Sequence, residues 1–432
     1  MALSPSRNQP DDHSFLRTGA PDPTGPIADT QAGQTRICPP PLLDPELITP
    51  LDSWDHFGVW AIRIDPPATA NVALHEALSA CLARIAETHG ARWFQWDSAL
   101  YGCSLSGMDA QTAVTLARQF QDTWSQQRVE SISIGVSQFP LLDYDRSACL
   151  GNACKALDHA AFFGPGSVVV FDAVSLNISG DHYYQDGHLD KAIAEYRTAL
   201  RLDPDNVNVH NSLGGCLAQK EDRATARAAF EAAYRIDERD TLAVYNLGVL
   251  HLLDGESGPA LEKFRQALEL DPATFDPSFQ IGKLLTEQQG YEEARHHLGN
   301  AIHLRPDCAS AHSLLGQCLA ALGHTQEAIM ACKKAVKLNP NDAAAFSQLG
   351  ALYDAKGENP EICVTFCRQS VALSPDNGLF HMRLAALYHK HAQLDQALAA
   401  YQAAAELGCD ASRQITDIQE RLAAIDTRQR YA

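Results

Sequence analysis

This chain of 432 residues lacks the features of several common protein classes. Its 34 Lys and Arg face 53 Asp and Glu, a net charge of −19, and such an acidic balance disfavours binding to nucleic acid or to anionic lipid. No stretch approaches the roughly 20 consecutive apolar residues that a membrane span needs. We therefore predict no nucleic-acid partner and no membrane span.

Motifs of the common enzymes and metal sites are missing as well. There is no G-x-x-x-x-G-K-[ST] phosphate loop, no G-x-S-x-G nucleophile elbow and no H-E-x-x-H pair. The twelve cysteines form no C-x-x-C pair. Cys363 and Cys367 lie four residues apart without a second pair, which favours reduced, buried cysteines over a zinc site. We predict no catalytic residue, no metal and no cofactor.

Residues 1–51 are dominated by proline, with ten of the 22 prolines of the chain. Their low apolar content predicts a disordered leader, because burial cannot offset the entropy of ordering it. It is either a passive tether or the carrier of a partner motif around Pro39–Pro41. The start of the chain has no basic segment followed by an apolar core, which favours a cytoplasmic protein over a secreted one.

From residue 173 onward the sequence repeats every 34 residues. Small residues at a fixed place allow two helices to approach closely, and a proline after the second helix ends it. The repeated glycines are Gly180, Gly214, Gly248, Gly282, Gly316 and Gly350. An alanine follows twelve residues later at Ala192, Ala226, Ala260, Ala294 and Ala328. The prolines are Pro204, Pro272, Pro306, Pro340 and Pro375.

This pattern resembles the tetratricopeptide repeat, whose unit is a pair of helices. The resemblance implies a predominantly α-helical solenoid of about seven helix-turn-helix repeats over residues 173–410, and residues 411–432 suit a capping helix. The sixth repeat departs from the pattern because Ile362 stands where the alanine at the helix crossing belongs. The last repeat is shifted by one residue, so that Ala385 is its small residue.

The same resemblance implies a groove, lined by the first helix of each repeat, that binds a protein or peptide partner. In some relatives an asparagine two residues before the small residue bonds to the backbone of an extended ligand. The amide side chains at or next to this position are Asn211, Asn246, Gln280 and Gln348. Lys283 and Arg383 are too far apart in the sequence to form the cationic clamp of other relatives.

Residues 52–172 do not repeat, and alternate strand-like with helix-like segments. This order predicts a small α/β domain of ferredoxin-like arrangement with buried central strands. Its closing half, SISIGVSQFP and ACLGNACKALDHAAFFGPGSVVVF, resembles the GGDEF domain of diguanylate cyclases. The matching residues are Ser133, Ile134, Gly135, Ala153, Lys155, Ala156, Leu157 and Gly164.

The acids that cyclase chemistry requires do not occur at the matching positions. Phosphoryl transfer from a nucleotide needs carboxylates that hold divalent cations, yet the segment in place of the GGDEF signature, ALYGCSL at 99–105, has none. The metal motif of the family's first strand is Arg63-Ile64-Asp65 here, with a cation in place of a carboxylate. Lys155 alone is left to meet a phosphate, and a solvated lysine is the simpler interpretation.

We therefore predict a non-catalytic scaffold or signalling adaptor, cytoplasmic and bacterial, with a degenerate GGDEF-like domain that serves docking or homodimer formation. A domain that still senses a nucleotide, and an active diguanylate cyclase regulated by the repeats, are the alternatives. A third alternative, repeats that serve a glycosyl transferase, would need a separate catalytic subunit.

Overall fold

The computed structural model describes residues 53–66, 72–96 and 100–430. The described residues fall into two compact units, an N-terminal unit that ends at Asn246 and a C-terminal unit that begins at Leu247. The predicted leader lies outside the described residues. So do residues 67–71 and 97–99, and with them the first residue of the segment 99–105.

The N-terminal unit begins with a five-stranded sheet in the order β2-β3-β1-β4-β5. Neighbouring strands are antiparallel except the parallel pair of β4 and β5. The first six elements follow the order β-α-β-β-α-β that the sequence predicted. The strands are β1 (Phe57–Ile64), β2 (Arg92–Gln95), β3 (Leu100–Ser106), β4 (Ile132–Phe139) and β5 (Val168–Val170). The helices are α1 (Val72–His89), α2 (Ala110–Gln127) and α3 (Ala148–Ala160).

Helices cover both faces of this sheet, so its central strands are buried as predicted. Side chains alternate along β1: Trp60 and Ile62 pack with α1 and α2, whereas Val59 packs with α3. Gly135 on β4 permits the second contact, because a Cβ there would lie 2.0 Å from the carbonyl oxygen of Ala153.

Paired helices follow the sheet, and in every pair of the described residues except the last the first helix meets the second at a glycine. In the N-terminal unit a Cβ added to Gly180 would lie 2.4 Å from the Tyr196 ring, and one on Gly214 would lie 2.5 Å from Phe230. A side chain at either glycine would therefore collide with the aromatic ring of the second helix. The helices are α4 (Ala173–Gln185), α5 (Leu189–Leu202), α6 (Val207–Gln219), α7 (Arg223–Ile236) and α8 (Thr241–Leu253), the last of which spans the boundary between the units.

The C-terminal unit continues the pattern at Gly248, Gly282 and Gly316, where a Cβ would lie 2.7, 2.6 and 2.4 Å from Phe264, Leu298 and Cys332. Its helices are α9 (Ser257–Leu270), α10 (Phe275–Glu287), α11 (Tyr291–Leu304), α12 (Ala309–Ala321), α13 (Thr325–Leu338), α14 (Ala343–Ala355), α15 (Pro360–Leu373), α16 (Gly378–Lys390), α17 (Leu394–Glu406) and α18 (Ser412–Arg430).

The repeated prolines end the second helices as predicted, since α5, α9, α11 and α13 each stop two residues before one of them. Ala385 is buried beside Tyr401 in the last repeat, as predicted. No helix of the described residues is long and apolar enough to cross a bilayer.

The sixth repeat differs from its predicted alignment. Helix α15 begins at Pro360, ten residues after Gly350, whereas α13 begins at Thr325, nine residues after Gly316. The extra residue lies in the turn and moves Cys363 to the helix crossing and Cys367 to 2.3 Å from a Cβ on Gly350. The interpretation of Ile362 as the crossing residue is wrong, because that side chain is exposed.

Candidate partner-binding site

The first helices of the repeats carry a row of buried polar side chains. Among the described residues beyond Ala173, every buried polar side chain except Ser370 lies on a first helix, whereas the second helices bury apolar residues. We call this set the first-helix polar row. It consists of Ser175, Ser179, Asn211, Ser212, Asn246, Ser278, Gln280, Thr286, Ser313 and Ser347.

The two predicted site residues of the N-terminal unit belong to this row. Asn211 and Asn246 are both fully buried. The Asn211 amide donates to Oδ1 of Asp240 at 2.8 Å, and the same oxygen accepts from the backbone N–H of Ala243 at 2.7 Å. Asn211 therefore ties α6 to the start of α8, while its own Oδ1 has no hydrogen-bond partner.

The two predicted residues of the C-terminal unit differ in exposure. Gln280 is 2% exposed, whereas Gln348 is half-buried and its Oε1 lies 3.2 Å from the Cys332 thiol, which donates to it. Arg383 on α16 donates to the Ser347 hydroxyl on α14 at 2.8 Å, so adjacent first helices contact each other through polar groups. A role of these amides in partner binding stays a prediction.

Sequence reasoning missed Asp181 on α4. The Tyr196 hydroxyl donates to Oδ1 of its carboxylate at 2.7 Å and the Asn177 amide donates to Oδ2 at 3.3 Å. Burial raises the pKa of Asp181 to about 6. Its signal in the sequence is an acid directly after the repeated glycine, where the next five repeats have Gly215, Val249, Lys283, Gln317 and Ala351.

The α/β layer is fixed to the first repeat by ion pairs within the N-terminal unit. Lys155 on α3 donates to both carboxylate oxygens of Glu195 on α5, at 2.7 and 2.8 Å. His159 lies 3.4 Å from Asp172 at the start of α4. The interpretation of Lys155 as a solvated lysine is wrong, because its side chain is mostly buried and forms an ion pair with a carboxylate, whereas a phosphate contact of Lys155 stays a prediction.

Asp65, the acid of the Arg63-Ile64-Asp65 segment at the end of β1, is occupied by donors from its own chain. Its carboxylate accepts from the hydroxyls of Ser131 and Ser133 and from the backbone N–H of Gly166, each at 2.8 Å. The Arg63 guanidinium adds an ion pair at 3.4 Å. This arrangement makes Asp65 a structural link between strands β1 and β4 and the turn before β5.

Models of the tetratricopeptide repeat match residues 180–220, 219–274 and 279–343. The chain is 25% identical over 146 residues to the BBSome complex member BBS4 of Bos taurus, covering 33% of this chain and 28% of that protein. It is 28% identical over 162 residues to the protein O-mannosyl-transferase TMTC3 of Homo sapiens, covering 37% and 17%. The chain thus spans less than a third of the length of these curated relatives.

Solved structures of repeat proteins also align with parts of the chain. YrrB, described as a TPR protein with an unusual peptide-binding site, aligns at 21% identity and a TM-score of 0.39, covering 43% of this chain and 95% of that one. The pilF protein of Pseudomonas aeruginosa aligns at 21% identity and a TM-score of 0.43, covering 50% and 97%. With the family-model matches in hand, residues 180–274 and 279–343 are assigned as tetratricopeptide repeats.

Proposed function

We propose that this chain is a non-catalytic binding protein whose first helices hold a protein or peptide partner. The first-helix polar row carries the proposal. Burying a polar side chain costs free energy unless it forms a hydrogen bond, and the second helices of the same repeats fill their buried positions with apolar residues. The row places polar groups on the first helices α4, α6, α8, α10, α12 and α14.

An extended peptide is the ligand that we propose for the first helices of the repeats. Stacked helical repeats present long surfaces on which extended ligands lie, and amide side chains offer a donor and an acceptor to a peptide backbone. Asn211, Asn246, Gln280 and Gln348 are the contacts we propose within this function.

We further propose that the α/β layer is a degenerate GGDEF-like module used for docking or self-association. Two observations support a docking role over nucleotide chemistry: donors of the chain occupy Asp65, and Glu195 neutralises Lys155. Cyclic dinucleotide formation by the full chain from GTP with magnesium or manganese would overturn this proposal in favour of an active cyclase.

The binding proposal is tested with a random dodecapeptide phage library panned on the full chain. An enriched peptide is then titrated by fluorescence anisotropy. Ala351 is exposed on the first helix α14 and Met330 is exposed on the second helix α13. We expect Ala351→Trp to weaken binding by about tenfold or more through steric block, and the control Met330→Trp to leave it unchanged.

Two results would overturn the binding proposal. One is a library from which no peptide is enriched. The other is an enriched peptide that Met330→Trp weakens as much as Ala351→Trp does, because the ligand would then lie on the second helices. Thermal melting of both variants verifies that the repeats stay folded.

A further inference from the structure

We infer that Asp181, Asn177 and Ser212 form a receptor for a basic side chain, an arginine or lysine of the bound partner. This inference rests on the proposed partner binding and specifies the chemistry of one contact. The three residues lie on the adjacent first helices α4 and α6 of the N-terminal unit.

The site is built around a carboxylate that is held in place by neutral groups. Tyr196 fixes Oδ1 of Asp181 at 2.7 Å and Asn177 contacts Oδ2 at 3.3 Å. Ser212, fully buried on α6, lies close enough to lower the pKa of the carboxyl group. Asp181 as a whole residue is half-buried.

Acceptor atoms beside the carboxylate are left over. Oδ1 of Asn177 and Oγ of Ser212 are buried and have no hydrogen-bond partner of good geometry. No lysine, arginine or histidine of the described residues contributes to the pKa shift of Asp181. A carboxylate without a cation, surrounded by acceptor atoms that lack a hydrogen bond, would bind a ligand that is cationic and has several donors.

The charge of the site stays negative at neutral pH. Burial raises the pKa of Asp181 to about 6, so the carboxylate is mostly ionised at pH 7. Its titratable neighbours Tyr184, Tyr196 and Cys216 remain neutral because burial raises their pKa values as well. An ammonium group offers three donors and a guanidinium five, and hydrogen bonds between charged groups are the strong ones. An anion would be repelled, and an apolar group would leave the acceptors unfilled.

Asp65 shows what a purely structural buried aspartate looks like in the same unit. Its carboxylate has three donors at 2.8 Å and a guanidinium at 3.4 Å. Asp181 has a short hydrogen bond from Tyr196, a long one from Asn177 and a contact from Ser212, but no cation. The two carboxylates therefore differ in the cation, which the fold supplies to Asp65 and does not supply to Asp181.

The experiment uses the peptides enriched from the dodecapeptide library on the full chain. We expect a basic residue at one fixed position, and replacing that arginine by citrulline, which keeps its shape and removes its charge, should weaken binding by about tenfold or more. Asp181→Asn should weaken the arginine peptide equally and leave the citrulline peptide unaffected. Asp186→Asn, exposed at the end of the same helix, is the matched control and should bind as the wild type does.

The outcomes separate this inference from the function on which it rests. A library that yields no binder overturns the proposed function. Enriched peptides without a basic position, or an arginine peptide that neither citrulline nor Asp181→Asn weakens, overturn the inference and leave the function standing. The citrulline comparison on the wild-type protein needs no variant, so the test holds even where Asp181→Asn lowers the melting temperature.

Discussion

Burial acts on Asp181, Tyr196 and Cys216 of the first two repeats in a single direction, toward the neutral form. It raises the pKa of Asp181 to about 6 and that of Cys216 to about 12, and it raises the pKa of Tyr196 further above its usual range. The thiol and the phenol are neutral at pH 7 in any case. For Asp181 the same effect means that the ionised carboxylate lowers the stability of the fold.

Asp181→Asn should therefore stabilise the protein at neutral pH and not at acid pH. The carboxyl has a pKa of 3.8 in the unfolded chain and about 6 in the fold. Between these values the folded chain binds more protons, so the contribution of this group to stability falls as pH rises from about 4 to about 6 and stays lost above that. Asparagine cannot ionise and still accepts from Tyr196.

Urea unfolding of the wild-type protein and of Asp181→Asn between pH 4 and pH 7 measures this pH dependence of stability. The advantage of Asp181→Asn should grow through the window and level off at about 1 kcal/mol, which allows for the partial exposure of the side chain. An advantage that is the same at every pH would contradict the assignment. If Asp181→Asn is more stable and binds the basic peptide less well, Asp181 contributes to binding and not to the stability of the fold.

At the scale of elements, the helix crossing tolerates less change than the turn beside it. The sixth repeat takes one extra residue before Pro360 and still places a small side chain, Cys367, against Gly350. Lengthening a turn by one residue costs little entropy, whereas helices pressed together at a glycine have no room for a larger group. The repeat therefore keeps its packing contact and changes its loop.

The contact between α3 and β4 gives a sharp test of this principle. In Gly135→Ala the added methyl would lie 2.0 Å from the carbonyl oxygen of Ala153 and 2.4 Å from the backbone nitrogen of Leu157. Backbone atoms of a helix cannot move away as a flexible side chain can. We therefore expect the free energy of unfolding to fall by about 3 kcal/mol. Denaturant titration measures it.

Gly151→Ala is the matched control. Gly151 lies in α3 itself, and a Cβ there meets nothing within 4 Å. Alanine should raise the stability by about 0.5–1 kcal/mol, because it favours the helix and restricts the unfolded chain. Equal effects of the two substitutions would mean that helix propensity, and not the contact with β4, decides the outcome at Gly135.

At the scale of the N-terminal unit, the α/β layer and the first repeat are parts of one structure. Lys155 and Glu195, with side chains 18% and 15% exposed, connect α3 to α5. Arg201 and Asp143 form a second ion pair that is much more open to solvent, at 49% and 75%. Since screening by water weakens exposed pairs, only the first should contribute measurably to this contact.

A double-mutant cycle with Lys155→Met and Glu195→Gln should give a coupling energy of about 1–2 kcal/mol. The same cycle with Arg201→Met and Asp143→Asn should give less than about 0.5 kcal/mol. The free energies come from unfolding of the full-length variants. A coupling near zero for the first pair would mean that the layer is attached by apolar packing alone.

The sequence by itself determined the repeats, the ends of their second helices and the glycines at their crossings. These depend on local rules, because the partners of a glycine such as Gly214 lie within the same repeat and a helix cannot continue through a proline beyond its first turn. The order of strands and helices in the α/β layer likewise followed from the sequence, in which strand-like segments alternate with helix-like segments.

Only the tertiary structure decided which polar groups meet. Lys155 donates to Glu195, which lies 40 residues later in the sequence. The backbone N–H of Gly166 donates to Asp65, which lies 101 residues earlier. The burial of Asn211 and Asn246 and the unfilled acceptors around Asp181 likewise depend on how separate helices are placed. Hydrogen bonds and ion pairs act over a few ångströms in space and do not depend on the separation of the two residues in the sequence. The partner of a charged or amide side chain therefore cannot be identified from a periodic sequence pattern.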